Sequence, residues 1–386
     1  MQVNEVIKTI RENFTIYNVS QNVPIGSAFD RVLSSDVIAV KNLPCFDNSA
    51  LDGYAVKFDD KDKPYSIIGE AFAGDKAVLS IGKNECIKIM TGAKMPLGAD
   101  TIVRFEDAVI EDDKLIAPTN LKRGNAHRFA GEEVKVGDTL LSRGIRLGAK
   151  EIMMLASQGI SYVSVFATSR IGIYSSGNEI VEPWQLANED QIYNANALGI
   201  ASVIRSAGFD SEYLGIIKDD FEATKNAFKN AYNFDILICS GGASKGEADF
   251  MKMALNELGY RELFDKINMR PGGPCKAYVK DNKLIFVLPG NPMAAYLCAI
   301  LFVVPVLKNG SLIQEKVVLN ESINIKSGRS NIVLGSIKDG KFYITDNNKF
   351  GSGMIKPLIK SNAIYISNPD ENELLVGSEI FVTRIS

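Results

Sequence analysis

Between about residues 169 and 309, short apolar runs that end in glycine alternate with segments of helical periodicity. Few architectures accept that alternation. RIGIYSSG reads as a strand, and the segment Ile192 to Ala207 as a helix with Ile200, Val203, Ile204 and Ala207 on one face and Gly208 as its stop. YLGII is the next strand. Phe221 to Tyr232 follows as a helix that buries Phe221, Phe228 and Tyr232. DILICSGG and ADFMKMALNELG repeat the pair, the helix starting at about Asp249. LIFVLPGNP and the apolar run from Met293 close the series. The pattern predicts a central three-layer α/β domain with a mostly parallel sheet covered on both faces. Such sheets bind ligands at the carboxyl ends of their strands, where SSGNE, SGGASKGEAD and LPGNP stand.

The flanking regions have a different texture. Up to about residue 168, runs such as DKAVLSIG, ECIKIMTG and DTIVRFEDAVI alternate with Gly, Pro and Asp turns. Two segments are helical: the N-terminus, with Val3, Val6, Ile7, Ile10 and Phe14 on one face, and AKEIMMLASQG. This predicts an irregular α+β N-terminal half. From about 312, KVVLNESINI, NIVLGSI, KFYITD, AIYISN and SEIFVTRI recur at strand spacing, which predicts a small C-terminal β-barrel or sandwich.

Composition narrows the chemistry. With 43 basic and 46 acidic side chains, nucleic acid has no global electrostatic support. A single histidine, His127, rules out a multi-histidine zinc centre and disfavours a histidine-based triad. The five cysteines form no CxxC pair, so reduced cytoplasmic thiols are the simplest reading. The N-terminus lacks the apolar stretch of a signal peptide. The longest apolar run, Met293 to Leu307, contains Pro305 and falls short of the roughly 20 residues a bilayer requires, so a buried helix is expected and no membrane. Carboxylates, hydroxyls and backbone amides must carry any reaction.

Four loops concentrate those groups. In LPCFDNSALDGYAV (43–56), Asp52 is either a metal or acid–base carboxylate or part of a decorated turn. In IMTGAKMPLGAD, Thr91 either meets an anion or ribose or closes a strand-to-turn junction. The glycines of SGGASKGEAD (240–249) allow backbone to approach a phosphate, although neither a Walker A nor a GxGxxG spacing is present. LPGNP (288–292) is a proline-stiffened loop, with Asn291 and Pro292 placed to start a helix. Glu179, Asp219, Asp220 and Asp249 add carboxylates on the same strand edge, an oxygen-only set suited to magnesium.

FDNSALDGYAV, IMTGAKMPLGAD, SSGNEIV, QIYNAN, SGGASKGEAD and LPGNP, in this order and at these distances, resemble the MoeA family, the molybdopterin molybdenumtransferases related to the E domain of gephyrin. The resemblance spans essentially the whole chain. It implies an N-terminal extended or linker domain (1–40 and 128–168) and a small mostly-β domain carrying the first two loops (41–127). It also implies an α/β molybdopterin-binding domain (169–311) and a C-terminal β-barrel domain (312–386). It further implies a cytoplasmic homodimer with its active site between subunits. The implied reaction inserts molybdenum from molybdate into adenylylated molybdopterin, releasing AMP with Mg2+ assisting, and a molybdopterin adenylyltransferase is an implied partner.

Residue by residue, the resemblance implies catalytic positions at Asp52, Thr91, Glu133, Glu179, Asp219 and Asp249, with Glu179, Asp219 and Asp249 on the metal. Substrate-binding positions are Ser49, Ser240, Gly241, Gly242, Ser244, Gly246, Arg270, Pro274, Pro289, Gly290, Asn291, Pro292 and Ser352. The chain departs from the family where GED becomes Gly131-Glu132-Glu133, STGDE becomes Ser175-Ser176-Gly177-Asn178-Glu179, and KPGKP becomes Arg270-Pro271-Gly272-Gly273-Pro274. The serine often found after LPGNP is Ala294. Arg270 is therefore expected to be the main positive charge for the oxyanion. Three alternatives stay open: an adenylyltransferase on the shared α/β domain, a tungstate-preferring or low-activity paralogue, and a non-enzymatic dimeric scaffold.

Overall fold

The computed structural model describes the chain from 1 to 385 apart from residues 17, 18, 78 and 243–246; the side chains of 247–249 also lie outside the description. The chain divides into two compact units, Met1–Val19 with Ala167–Ser386, and Ser20–Phe166.

The first unit is built on a six-stranded sheet. Its strands are β1 (Ile171–Ser176), β2 (Glu212–Ile217), β3 (Ile236–Ser240), β4 (Arg261–Phe264), β5 (Lys276–Lys280) and β6 (Lys283–Leu288), in spatial order β2-β1-β3-β6-β5-β4. The pairings of β1 with β2, β1 with β3 and β3 with β6 are parallel; β5 runs antiparallel to both β6 and β4. Strand side chains alternate between two apolar clusters. Ile236, Ile238, Phe286 and Leu288 pack with helices α1 (Val3–Arg11), α2 (Ala195–Ser206) and α5 (Pro292–Cys298). Leu237, Cys239, Ile285 and Val287 pack with α3 (Phe221–Asn230) and α4 (Glu247–Glu257). Sheet strands buried on both faces account for the near-continuous apolar runs in the sequence.

The expected helix boundaries shift in three places. Ile192–Tyr193 is a short strand paired with Ile180–Val181, and the helix starts only at Ala195, because the buried Asn194 caps it by accepting a hydrogen bond from the Ala197 amide. α3 ends at Asn230, so Tyr232 lies beyond its apolar face and is 73% exposed. α4 begins at Glu247 rather than at about Asp249. The apolar run after LPGNP is buried and continues from α5 through a π-turn (Ala299–Val303) into Val304–Leu307, which takes Pro305 at its start. Among the described residues no helix is long and apolar enough to cross a membrane.

The same unit ends in a closed five-stranded barrel, which settles the open choice between barrel and sandwich. Its strands are β7 (Gln314–Leu319), β8 (Ser330–Lys338), β9 (Lys341–Ile344), β10 (Ala363–Ile366) and β11 (Glu379–Arg384). Pairings run from β7 to β9, β8, β10, β11 and back to β7. Closure removes the free strand edges that a small sheet would otherwise expose.

The second unit holds a six-stranded sheet ordered Thr101–Arg104, Gly53–Val56, Glu85–Ile89, Tyr65–Ala71, Lys114–Ile116, Val109–Glu111. It also holds the helix Ala149–Ser157 and the antiparallel pair Ser20–Pro24 with Tyr162–Phe166. Among its described residues DKAVLSIG, expected as a strand, supplies only an isolated bridge at Ser80. DTIVRFEDAVI is split by a 3-10 turn at Phe105–Asp107.

Candidate active site

Parallel strands deliver their carboxyl ends to one edge, and there the loops interlock. Gly241 has φ +107°, and a Cβ on it would lie 2.2 Å from the Ser176 carbonyl oxygen, so only glycine lets β3 leave the sheet past β1. A Cβ on Gly290 would meet the Gly241 Cα at 3.7 Å, an ordinary contact. Ser240 is 1% exposed; its hydroxyl accepts from Asn196 Nδ2 at 2.7 Å and donates to the Pro289 carbonyl at 3.5 Å. Its hydroxyl is thus held in loop-to-loop contacts. Asp219 ties β2 to β1: its carboxylate accepts from the Asn178 amide at 3.1 Å and the Ser176 hydroxyl at 3.3 Å. Asn178 Oδ1 in turn accepts from the Asp219 amide, so the asparagine supplies an acceptor without a second charge beside Asp219. The exposed Glu179 carboxylate has no protein partner among the described residues. Glu179, Tyr193, Asn196, Gly241, Gly242 and Pro289–Pro292 line a cavity of about 350 Å³.

A second cavity, about 580 Å³, lies beside the barrel strand β8. The short strand Met269–Arg270 pairs in parallel with Ser330–Asn331 and brings the Arg270 loop there. Lys326 and Arg329, from the turn before β8, line the same cavity, as do Gly351 and Ser352. Asn331 Nδ2 donates to the carbonyls of Lys326 and Arg329, both at 2.9 Å, and so fixes that turn. Arg270, Lys326 and Arg329 have no acidic partner among the described residues. The wall of this cavity therefore carries Lys326 and Arg329 as well as Arg270. Gly273, where the family has lysine, would place a Cβ 3.1 Å from the Met269 carbonyl oxygen and 3.3 Å from that of Ile267. Pro274, Pro289 and Asn291 line both cavities. Asn291 Nδ2 donates to Ser352 Oγ at 2.8 Å, and the Ser352 carbonyl accepts from the Met293 amide.

In the other unit, the 43–56 loop is tied by hydrogen bonds to itself and to residues 91 and 127–130. Asp47 accepts from the Ala130 amide at 2.8 Å and contacts His127 Nε2 at 3.2 Å. The His127 ring is 6% exposed and stacks on Phe129, so the one histidine is structural. The Ser49 hydroxyl is buried and donates to the Leu51 carbonyl, closing the turn. Asp52 is exposed; its Oδ1 accepts from the Thr91 amide at 2.7 Å and the Thr91 hydroxyl at 2.8 Å. Those two bonds hold its carboxyl below the ordinary carboxylate range. Asp52 is thus an anion presented by the loop, not a proton donor near neutrality, and the Thr91 hydroxyl is committed to it. Glu133 is exposed, while Glu132 binds Arg128 and the Phe129 amide and is held ionised by them.

The comparisons decide the family. Residues 1–159 match the MoeA N-terminal region (domain I and II), 172–309 a probable molybdopterin binding domain, and 316–385 the MoeA C-terminal region (domain IV). This chain belongs to the MoeA family. It is 29% identical over 372 residues to a molybdopterin molybdenumtransferase of Haemophilus influenzae, covering 93% of this chain and 92% of that one. A Nostoc relative of the same description is 29% identical over 384 residues, 94% of this chain and 88% of that one. The crystal structure of a molybdopterin biosynthesis MoeA protein from Pyrococcus horikoshii superposes with a TM-score of 0.83 at 25% identity, covering 100% of this chain and 99% of that one.

Ser244, Gly246 and the Asp249 side chain fall outside the described residues; the Asp249 backbone lies in the first turn of α4. Among the described residues no three His, Cys, Asp or Glu side chains converge on a metal position. The donor set still fits magnesium in its substrate-bridging mode, which needs one or two carboxylates, waters and a phosphate; Glu179 is an unpaired carboxylate on the cavity wall. Sequence reasoning missed Lys326, Arg329, Asn196 and Asn331. The first two stand in KSGRS, a charged turn indistinguishable from solvated surface until the barrel closes. The asparagines lie inside QIYNAN and beside KSGRS with no spacing that marks them.

Proposed function

We propose that this chain is a molybdopterin molybdenumtransferase of molybdenum cofactor biosynthesis. It takes adenylylated molybdopterin and molybdate, inserts molybdenum at the dithiolene, and releases AMP. The observation that carries the reading is a pair of cavities that share Pro274, Pro289 and Asn291, one at the strand-end loops and one lined by three cations. The strand-end cavity suits the pterin and phosphoanhydride, since glycines there admit backbone close to phosphate. Arg270, Lys326 and Arg329 suit a tetrahedral dianion, with arginine offering a planar fork of donors. Asn291 joins the two and holds Ser352 in place. Phosphoanhydride cleavage requires little covalent work from the protein; positioning and charge neutralisation suffice, in keeping with a site without histidine or cysteine nucleophiles.

Magnesium held by Glu179, with Asp219 and Asp249 as the further carboxylates of the set, would neutralise phosphate oxygens when bound. Asp52 is the ionised carboxylate of the first half, kept so by Thr91. The working form is proposed to be a homodimer, served by a molybdopterin adenylyltransferase. Product analysis tests the reading against its rivals. Incubation with adenylylated molybdopterin and molybdate should yield AMP and molybdenum cofactor. Turnover of ATP with free molybdopterin would identify an adenylyltransferase instead, and no turnover of either would leave a scaffold.

A further inference from the structure

We propose that Asn196 is a positioning residue that sets the spacing of the two loops forming the strand-end cavity. The inference rests on the reading of that cavity as the adenylylated molybdopterin site. Asn196 is the second residue of α2 and touches neither loop through backbone pairing. Its side chain reaches both: Nδ2 donates to Ser240 Oγ and to the Gly290 carbonyl, each at 2.7 Å. The Gly290 carbonyl can only accept, so the amide orientation is fixed by chemistry: the nitrogen must face it. One NH2 group therefore clamps the end of β3 to the loop after β6, at the point where Gly290 packs on Gly241. Both loops line the cavity, and Asn196 lines it with them.

The neighbouring asparagine shows how different the two roles are. Asn194 is buried and satisfied within its own surroundings: Oδ1 accepts from Ser175 and the Ala197 amide, and Nδ2 donates to Tyr213 and Glu182. Asn194 holds a helix start; Asn196 holds the distance between two ligand-facing loops.

Asn196→Asp is the informative variant, because it keeps size and removes the donors. An ionised carboxylate faces the Gly290 carbonyl acceptor to acceptor, and the loop must move away. Ser240 can turn its one hydroxyl proton from the Pro289 carbonyl to the new carboxylate, so that arm survives at the expense of the 3.5 Å bond to Pro289. A protonated carboxyl regains one O–H donor for Gly290. The expected result is a KM for adenylylated molybdopterin raised at least about tenfold near neutral pH, with kcat within about twofold. That KM should fall back toward wild type as the pH is lowered toward 4, close to the ordinary aspartate value of about 3.9, with the wild-type profile measured alongside, since Glu179 lines the same cavity in both proteins. Thermal midpoints taken across the same pH range separate loop spacing from general unfolding. If the variant does not fold, Asn196→Ser supplies a second probe that reaches neither partner fully and should raise KM without restoring it at low pH. Wild-type turnover together with an unchanged KM in both variants would overturn the role of Asn196 alone. A raised KM with no recovery at low pH in Asn196→Asp would do the same. Absence of wild-type turnover would instead overturn the reading of the cavity.

Discussion

The Asp52 loop and the strand-end loops handle charge in opposite ways. Around Asp52 the polar groups satisfy one another: Thr91 binds Asp52, Asp47 binds Ala130 and His127, and Ser49 closes its own turn. The Asp52 carboxylate stays exposed and is held ionised by its bonds to Thr91. At the strand ends and the barrel turn, the backbone is interlocked by glycines and asparagines, while Arg270, Lys326 and Arg329 are left without acidic partners among the described residues. Asp52, with Oδ1 committed to Thr91, offers a ligand its charge and its other oxygen; the three cations, without acidic partners among the described residues, offer their full set of donors.

The largest effect expected from this contrast is at Gly241. Gly241→Ala puts a methyl 2.2 Å from a carbonyl oxygen at φ +107° and should cost about 3 kcal/mol or more, read from the urea midpoint. Gly290→Ala, with its nearest contact at 3.7 Å, should cost about 1 kcal/mol or less. Equal losses at both would break the argument that β3 leaves the sheet by close backbone approach.

Next comes the cationic wall. Arg329→Ala and Arg270→Ala should each weaken molybdate binding by about 1.5–3 kcal/mol, roughly ten- to a hundredfold, in a calorimetric titration. Comparable losses in both would point to a shared wall; loss in Arg270→Ala alone would single out Arg270 as the main charge. Gly273→Lys is not expected to tighten binding, because its Cβ must press on two backbone carbonyls.

The smallest effect concerns Asp52. Its carboxyl is depressed in the folded state, so its contribution to stability is present above the unfolded value of about 3.9 and is lost as pH falls through the folded value. Thr91→Val removes one of the two bonds and should move the Asp52 titration upward, toward the ordinary value, as followed by carboxyl NMR. An unchanged titration would show that the Thr91 amide alone sets it.

The parallel-sheet core was legible because buried strands and amphipathic helices write their periods into residues such as Ile236, Ile238, Ile200 and Ile204. The capped start at Asn194 was not, since the cap competes with a two-residue strand that carries no period. In the site, glycine and proline loops announced themselves by composition. Lys326 and Arg329 did not, because what makes them part of a site is the pairing of Met269–Arg270 with Ser330–Asn331, a contact some sixty residues apart in the chain.

The central claim is that AMP leaves as molybdenum enters. The most direct test is a single-turnover measurement on the wild-type protein loaded with adenylylated molybdopterin, with AMP and protein-bound molybdenum quantified on the same samples with and without molybdate. The account predicts AMP release that depends on molybdate and matches molybdenum incorporated, mole for mole. AMP released equally without the oxyanion, or molybdenum gained without AMP, would contradict it.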